Sequence, residues 1–299
     1  VDAAQGARKA QRAGGSASFA RMTETGRSIY LPFQSPSREA RRSRVVLRRP
    51  RLRIEETEAM TFNWVAGLVF FAALTATTAI GRYVAFRVPA LQEMRERNFQ
   101  ADRAKKERQP YRDAIRINNR VGAIQALTFY ALVLPFFISF EAMPWWRTIV
   151  DVVAVLMLYD LTYYGVHRFL FHGRLLRRIH ALHHQARTPT YIDSLYVHPV
   201  ETLIGQGLFQ GSILVVALIS GGPLHVVAVL VATQIFINAG TLNHVWVDLP
   251  LFPYKWLQFL TTGHAAHHVD MNQGNYCQVT LLFDWLFGTF EKPVFRTTP

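Results

Sequence analysis

The sequence predicts an all-α, integral-membrane helical bundle of about four to five spanning or re-entrant helices, with a cytosolic histidine-rich cap. Three observations predict it. Half of the 299 residues are hydrophobic, and they gather into blocks close to the roughly 20 residues that cross a bilayer. Lys and Arg concentrate between particular blocks, the pattern that fixes membrane orientation. All eleven histidines fall from His167 to His268.

Residues 1–59 hold thirteen Lys/Arg against six Asp/Glu and lack helical or strand periodicity. They are expected to form a disordered basic tail. Met60 stands directly before the first apolar block and is expected to be the native start, with the preceding stretch an upstream translation remnant. The alternative is a true basic tail touching anionic lipid.

Five apolar blocks follow, at about Phe62 to Phe86, Gly122 to Phe140, Ile149 to Val166, Leu203 to Ile219 and Leu224 to Ala239. Between the first two, residues 81–121 carry eleven Lys/Arg against five acids, which marks a cytoplasmic loop. Residues 60–121 are therefore read as a membrane helix and a basic cytoplasmic loop. Glu141 to Arg147 joins blocks two and three on the opposite face. Block three returns to the cytoplasm at His167, where Arg168, Arg174, Arg177, Arg178 and Arg187 follow. Ser220-Gly221-Gly222-Pro223 is a turn signal that makes blocks four and five a helical hairpin. Within block four, Gly207 and Gly211 form a GxxxG step that favours close helix approach. One conflict concerns block one: a full span would leave the basic tail outside unless the chain starts at Met60, and otherwise this block is re-entrant or interfacial.

The net charge of +13 lies in the tail and in loops flanking apolar blocks. Membrane topology explains that placement better than nucleic-acid binding. Cys277 is the only cysteine, which excludes an intramolecular disulfide and any cysteine-based zinc or iron-sulfur centre. The preference for Arg over Lys points to a bacterial inner membrane.

His180, His183 and His184 form HxxHH, and His264, His267 and His268 repeat it. Helical positions i, i+3 and i+4 share a face, so each triplet is expected to aim its imidazoles at one place. His167 and His172 are five apart, about 140° around a regular helix. They are expected to serve different metals unless the helix ends near Gly173 or one of them bends back. His198 and His244 stand alone. Ten histidines exceed what one centre takes, since a zinc site closes at four ligands, and two adjacent metals account for the number. Neutral imidazoles leave metal charge uncancelled, so supporting carboxylates are expected among Asp160, Asp193, Glu201, Asp248 and Asp270. Asp160 precedes His167 by seven residues and faces the same way on a helix. His225 begins block five at its non-cytoplasmic end and is left out of the metal set.

At these residues the sequence resembles the fatty acid hydroxylase and sterol desaturase superfamily. The resemblance runs from Asp160-Leu161-Thr162-Tyr163-Tyr164-Gly165-Val166-His167-Arg168 through the first HxxHH, Pro189-Thr190, His198-Pro199 and Asn243-His244. It continues through His264-Ala265-Ala266-His267-His268, Asn275-Tyr276 and Asp284-Trp285-Leu286-Phe287-Gly288-Thr289. It makes residues 122–291 the catalytic domain and 292–299 a C-terminal tail. It implies a helical membrane fold with a cytosolic cap, two iron ions (zinc being able to substitute in isolated protein), O2 as co-substrate and an external electron donor. Members hydroxylate, desaturate or demethylate sterols, fatty acyl chains and related lipids. Carried over, the metal ligands are His167, His172, His180, His183, His184, His264, His267 and His268, together with His198 and His244. His167 to His172 looks like the first box of fatty acid 2-hydroxylases, whereas His198-Pro199 and Asn243-His244 look like the sterol branch. Cys277 stands where a glycine commonly follows Asn-Tyr.

An unactivated carbon-hydrogen bond needs an oxidant stronger than any side chain, so the metals must carry that step. The chain shows no glycine-rich dinucleotide fingerprint and no cysteine cluster, so electrons are expected from a ferredoxin, cytochrome b5 or a reductase. Arg174, Arg177 and Arg178 offer an acidic carrier a docking face or serve positive-inside anchoring. The first rival, a zinc-dependent integral-membrane hydrolase, predicts a carboxylate in a motif such as HExxH, and neither HxxHH contains one. The second, a metal transporter or buffer, places ionisable ligands within spanning helices rather than after them.

Overall fold

The computed structural model describes residues 60–247 and 254–293. The expected tail at 1–59 lies outside them. Asn63 caps α1 (Trp64–Ala85), its Oδ1 accepting from the Ala66 amide at 2.9 Å. The segment expected as a basic loop is instead helical. Pro89 starts α2 (Pro89–Lys106), and Pro110 lies in the first turn of α3 (Gln109–Thr128). No glycine or proline interrupts 90–106, and two buried polar side chains hold this polar helix to the cap. Asn98 exchanges two hydrogen bonds with the Trp246 backbone, at 2.8 and 3.0 Å, and Asp102 accepts from the Ile192 amide at 3.2 Å.

Block two lies on the continuation of α3, through a wide turn at Phe129–Val133 and a tight one at Leu134–Phe136. Pro135 supplies no amide hydrogen and the helix stops there. The apolar stretch from Gly122 to Pro135 then reaches only about 21 Å, short of the roughly 30 Å hydrocarbon core. Among the described residues three helices are long and apolar enough to cross a membrane: α1, α4 (Trp145–Val166) with its extension to Phe171, and α6 (Pro199–Ile219). A shorter apolar helix, α7 (Val226–Leu242), follows.

The helices α4, α6 and α7 pack around Tyr159, Phe209 and Phe236. The two phenyl rings stack at 4.1 Å, and Tyr159 meets both edge-on at 5.8 and 5.1 Å. Ile213, Val229 and Ala232 are wholly buried beside them. Of the expected GxxxG step only Gly207 faces a neighbouring helix, where a β-carbon would stand 3.6 Å from Gln125 of α3; the Gly211 side is open.

One end of the bundle is tied together by β1 (Ile138–Ser139), which pairs in parallel with β2 (Leu224–His225). The same end holds the Asn63 amide bond to the Pro135 carbonyl at 2.9 Å and the Arg147 bond to the Ser220 carbonyl at 3.4 Å. The opposite end carries α5 (Arg177–His180), α8 (Tyr254–Val269) and α9 (Leu282–Leu286). That end is the cap.

Candidate metal centre

Beyond Val166 the chain does not continue as a regular helix. Residues His167–Phe171 form a wide turn in which the His172 amide donates to the His167 carbonyl at 2.9 Å, five residues back. The turn brings His167 and His172 onto one side, with ring centroids 5.0 Å apart. Both stand in one group, the outcome expected if the helix ends near Gly173, and not in the different metal sites of a continuous helix. Gly173 permits the exit, because a β-carbon there would lie 1.9 Å from the Phe169 carbonyl oxygen.

Two histidine groups result. The first comprises His167, His172, His180, His184 and His267, and the second His183, His244, His264 and His268. Within each group one nitrogen per ring lies within 4.8 Å of all the others. Each HxxHH box is divided between the groups. His180 and His184, at i and i+4, go to the first and His183 to the second; His264 and His268 go to the second and His267 to the first. The expectation that a triplet aims at one place is thereby corrected. The two groups abut, with the His184 and His268 rings stacked at 4.9 Å.

Backbone carbonyls set the tautomers. Tyr276 accepts from His167 Nδ1 at 2.6 Å, Met271 from His172 Nδ1 at 2.6 Å and Gly274 from His267 Nδ1 at 2.7 Å. In the second group Ala186 accepts from His268 Nδ1 at 3.0 Å and Gly240 from His244 Nδ1 at 3.1 Å. A carbonyl only accepts, so each Nδ1 carries the hydrogen and each Nε2 turns a lone pair inward.

Those Nε2 atoms crowd together. His167, His184 and His180 approach at 3.0 Å, His184 and His267 at 3.1 Å, and the second group repeats this at 3.1 to 3.2 Å. Converging lone pairs repel unless a cation lies between them. Metal-nitrogen bonds of about 2.1 Å at right angles would put neighbouring nitrogens about 3.0 Å apart, so both donor sets fit a bound metal ion. His172 Nε2 is buried and has no hydrogen-bond partner among the described residues, as a ligand nitrogen would be. Burial pushes His172 down to about 4 and His180 to about 3, and it also lowers His183, His184, His267 and His268. The rings are held neutral, which is the ligating form.

The expected carboxylates divide by position. Glu201, buried on the first turn of α6, puts Oε1 3.1 Å from His180 Nδ1. Asp160 touches no histidine directly. It accepts from the amides of Gln278, Val279 and Thr280 and from the Thr280 hydroxyl, and so anchors the segment whose Tyr276 carbonyl orients His167. Asp193 caps its own turn through Thr190 and pairs with Tyr111 and Lys105; its charge reaches His183 without a hydrogen bond to that ring. Asp270 is exposed and bonds to Asn272. Asp248 lies outside the described residues. His198 joins neither group; its Nδ1 accepts from the Val200 amide at 3.2 Å and caps α6, as Pro199 at the first helical position allows. His225 likewise caps α7.

Sequence reasoning assigned no role to Asp284 or Asn275. Asp284 is wholly buried and accepts from the amides of Tyr276 and Cys277 and from the Thr289 hydroxyl. Asn275 has φ of 62°, donates to the Gly263 carbonyl and accepts from the Glu291 amide. Together they fix the turn that offers carbonyls to His167 and His267. Both lie in the motifs quoted above, which was the available signal.

The sequence profile described as Fatty acid hydroxylase matches residues 152–289, which contain every residue of both groups. Over that stretch, a little under half of its length, the chain is similar to the fatty acid hydroxylase family. It is 32% identical over 155 residues to methylsterol monooxygenase 1 of Rattus norvegicus, covering 50% of each chain. The match to the Gallus gallus protein of the same name is also 32%, over 156 residues and 50% of each. A very-long-chain aldehyde decarbonylase from Oryza sativa subsp. indica is 30% identical over 152 residues, 49% of this chain and 55% of that one. The chain spans about half the length of the curated relatives it matches. No solved structure matches it.

A cavity of about 400 Å³ lies between α3, α4, α6 and α7. Its walls include Tyr159, Tyr163, Ala126 and Phe236, and its floor includes Glu201 with His183, His244 and His264. Three of the four histidines of the second group therefore face it, and none of the first.

Proposed function

We propose that this protein is a membrane-bound di-iron oxygenase of the fatty acid hydroxylase and sterol desaturase superfamily that uses O2 and electrons from an external donor to hydroxylate, desaturate or demethylate an unactivated C–H position of a lipid. The observation that carries this is the meeting of two abutting imidazole groups with an apolar-walled cavity between membrane-length helices. His167, His172, His180, His184 and His267 would hold one ion, and His183, His244, His264 and His268 the other. Bound there, the pair supplies the oxidising power that no side chain possesses.

The chain's own residues do the rest. Carbonyls of Tyr276, Met271, Gly274, Ala186 and Gly240 keep five imidazoles in one tautomer. Glu201 Oε1 stands 3.1 Å from His180 Nδ1, where a carboxylate raises the basicity of a ligating imidazole. Tyr159, Tyr163 and Phe236 give the chamber apolar walls suited to a hydrocarbon portion. The distribution of Lys and Arg supports placing the histidine end in the cytoplasm, and the preference for Arg over Lys supports a bacterial inner membrane. The resemblance to methylsterol and aldehyde-acting proteins supports a sterol or fatty acyl substrate.

Iron-loaded protein in lipid, supplied with ferredoxin or cytochrome b5, a matched reductase and NADPH, should consume O2 and form an oxidised lipid. NADPH alone should support none. Zinc-loaded protein that hydrolyses lipid without O2 would replace this reading with that of a membrane hydrolase.

A further inference from the structure

A second, more open pocket, of about 560 Å³, lies between α2, α3 and Ile192. Four cations line it, Lys106, Arg112, Arg116 and Arg120, and no acid does. Outside the lining, Asp113 pairs with Arg116 and Asp102 lies 3.8 Å from Lys106 Nζ. Arg112 and Arg120 pair with no carboxylate among the described residues. Arg112 donates to the Lys106 and Glu107 carbonyls and to the Gln109 side chain, which holds it beside the pocket.

Two further features place this pocket. Arg120 stands two residues before Gly122, where the apolar stretch of α3 begins, so the cations sit at the hydrocarbon boundary where lipid headgroups lie. Asn119 lines both this pocket and the 400 Å³ cavity that reaches the second histidine group. The two spaces share a wall.

We propose that this basic pocket binds the phosphate headgroup of an anionic membrane lipid beside the cavity. Guanidinium groups pair with phosphate oxygens in two-point contacts, and basic recesses between membrane helices suit such headgroups. The proposal takes from the functional reading only that the pocket lies at the bilayer surface, and its test needs no turnover.

The full chain in neutral detergent is titrated with short-chain phosphatidylglycerol, short-chain phosphatidylcholine or inorganic phosphate, and retained ligand is read by native mass spectrometry. Phosphatidylglycerol should be retained at least about tenfold better than phosphatidylcholine. Arg116→Gln with Arg120→Gln should lose about tenfold of that retention, while circular dichroism stays unchanged. Arg95→Gln with Arg103→Gln removes the same charge from exposed sites outside the pocket and should leave retention intact. Equal retention by the Arg116/Arg120 variant, or an equal loss from the Arg95/Arg103 variant, would overturn the site and leave general attraction to basic surface. Inorganic phosphate binding as well as the lipid would overturn the headgroup assignment in favour of a soluble phosphate. O2-dependent turnover is measured separately, so loss of this site and loss of the oxygenase reading are told apart.

Discussion

The His172 amide donates to the His167 carbonyl at 2.9 Å across five residues, and this single wide turn puts both imidazoles into one histidine group. A regular helix would separate them by about 140°. Gly173 closes the turn against Phe169, where a β-carbon would meet backbone at 1.9 Å, so the chain itself must shift to admit one. Gly173→Ala should destabilise the protein by about 1–3 kcal/mol. It should also lower iron content towards half, as the first group loses its geometry. Metal analysis beside a thermal melt checks this; unchanged iron at full stability would mean that the turn does not position His172.

Glu201 holds His180 from behind, with Oε1 3.1 Å from Nδ1. Glu201→Leu should weaken metal binding by about 10–100-fold, the usual effect of removing a partner behind a ligating imidazole. Glu201→Gln keeps an acceptor and should lose less. Competition with a chelator reads both. Equal affinity in Glu201→Leu and the parent would remove Glu201 from the support of the site and leave it only a wall of the cavity.

Asp160 accepts from three amides and one hydroxyl of residues 278–280. Asp160→Asn presents an NH2 to donors that need an acceptor. With about 1–3 kcal/mol for each donor left unmet, a loss of several kcal/mol is expected. The loss should appear as a lowered denaturation midpoint before any change in metal affinity per folded molecule. Wild-type stability would show that the 276–280 segment is held by other contacts.

Acid should undo the metal-free protein. Unfolded imidazoles titrate near about 6.5, whereas burial lowers His172 to about 4 and His180 to about 3. Between those values the unfolded chain binds more protons than the folded one. Stability therefore falls as pH drops through about 6.5, and the loss stops growing below the folded values. Chemical denaturation of metal-free protein at pH 8, 6.5 and 5 checks the sign; stability rising towards pH 5 would contradict neutral buried rings.

Much of this site was legible because histidine spacing on a helix is a geometric statement. The His264/His267/His268 face lies on a regular helix, α8, as expected. What spacing could not show is that this face meets two groups at once, so that i and i+4 serve one and i+3 the other. That division depends on where α4, α5 and α7 deliver their own rings, which is tertiary information. The wide turn at His167 was hidden for a related reason: Arg168 to Phe171 carry no breaker, and the turn is selected by what it lets His167 and His172 reach. The α2 strap was missed because its stabilising contacts, Asn98 to Trp246 and Asp102 to Ile192, span about 90 to 150 residues. His198 could have been read correctly, since a hydrogen-bond acceptor followed by proline is an ordinary helix start.

The last prediction compares two histidines at opposite ends of α7. His225 caps the start of that helix, with Nδ1 accepting from the Val227 amide at 3.2 Å, beside the β1–β2 pair that ties the end of the bundle away from the cap. His244 follows the helix's last turn, and its Nε2 lies 3.2 Å from those of His183 and His264. Seventeen residues at 1.5 Å each separate the two ends by about 25 Å, which no side chain bridges. His225→Gln should therefore keep metal content and turnover near those of the parent, at a cost of about 1 kcal/mol for the altered cap. His244→Gln should strip one ion and abolish turnover, because the second group falls to three imidazoles and one of the three rings that face the cavity is lost. Iron content and O2 uptake on both variants decide the matter. Metal loss in His225→Gln with retention in His244→Gln would overturn the assignment of the second group and the end-to-end arrangement of α7 on which it depends.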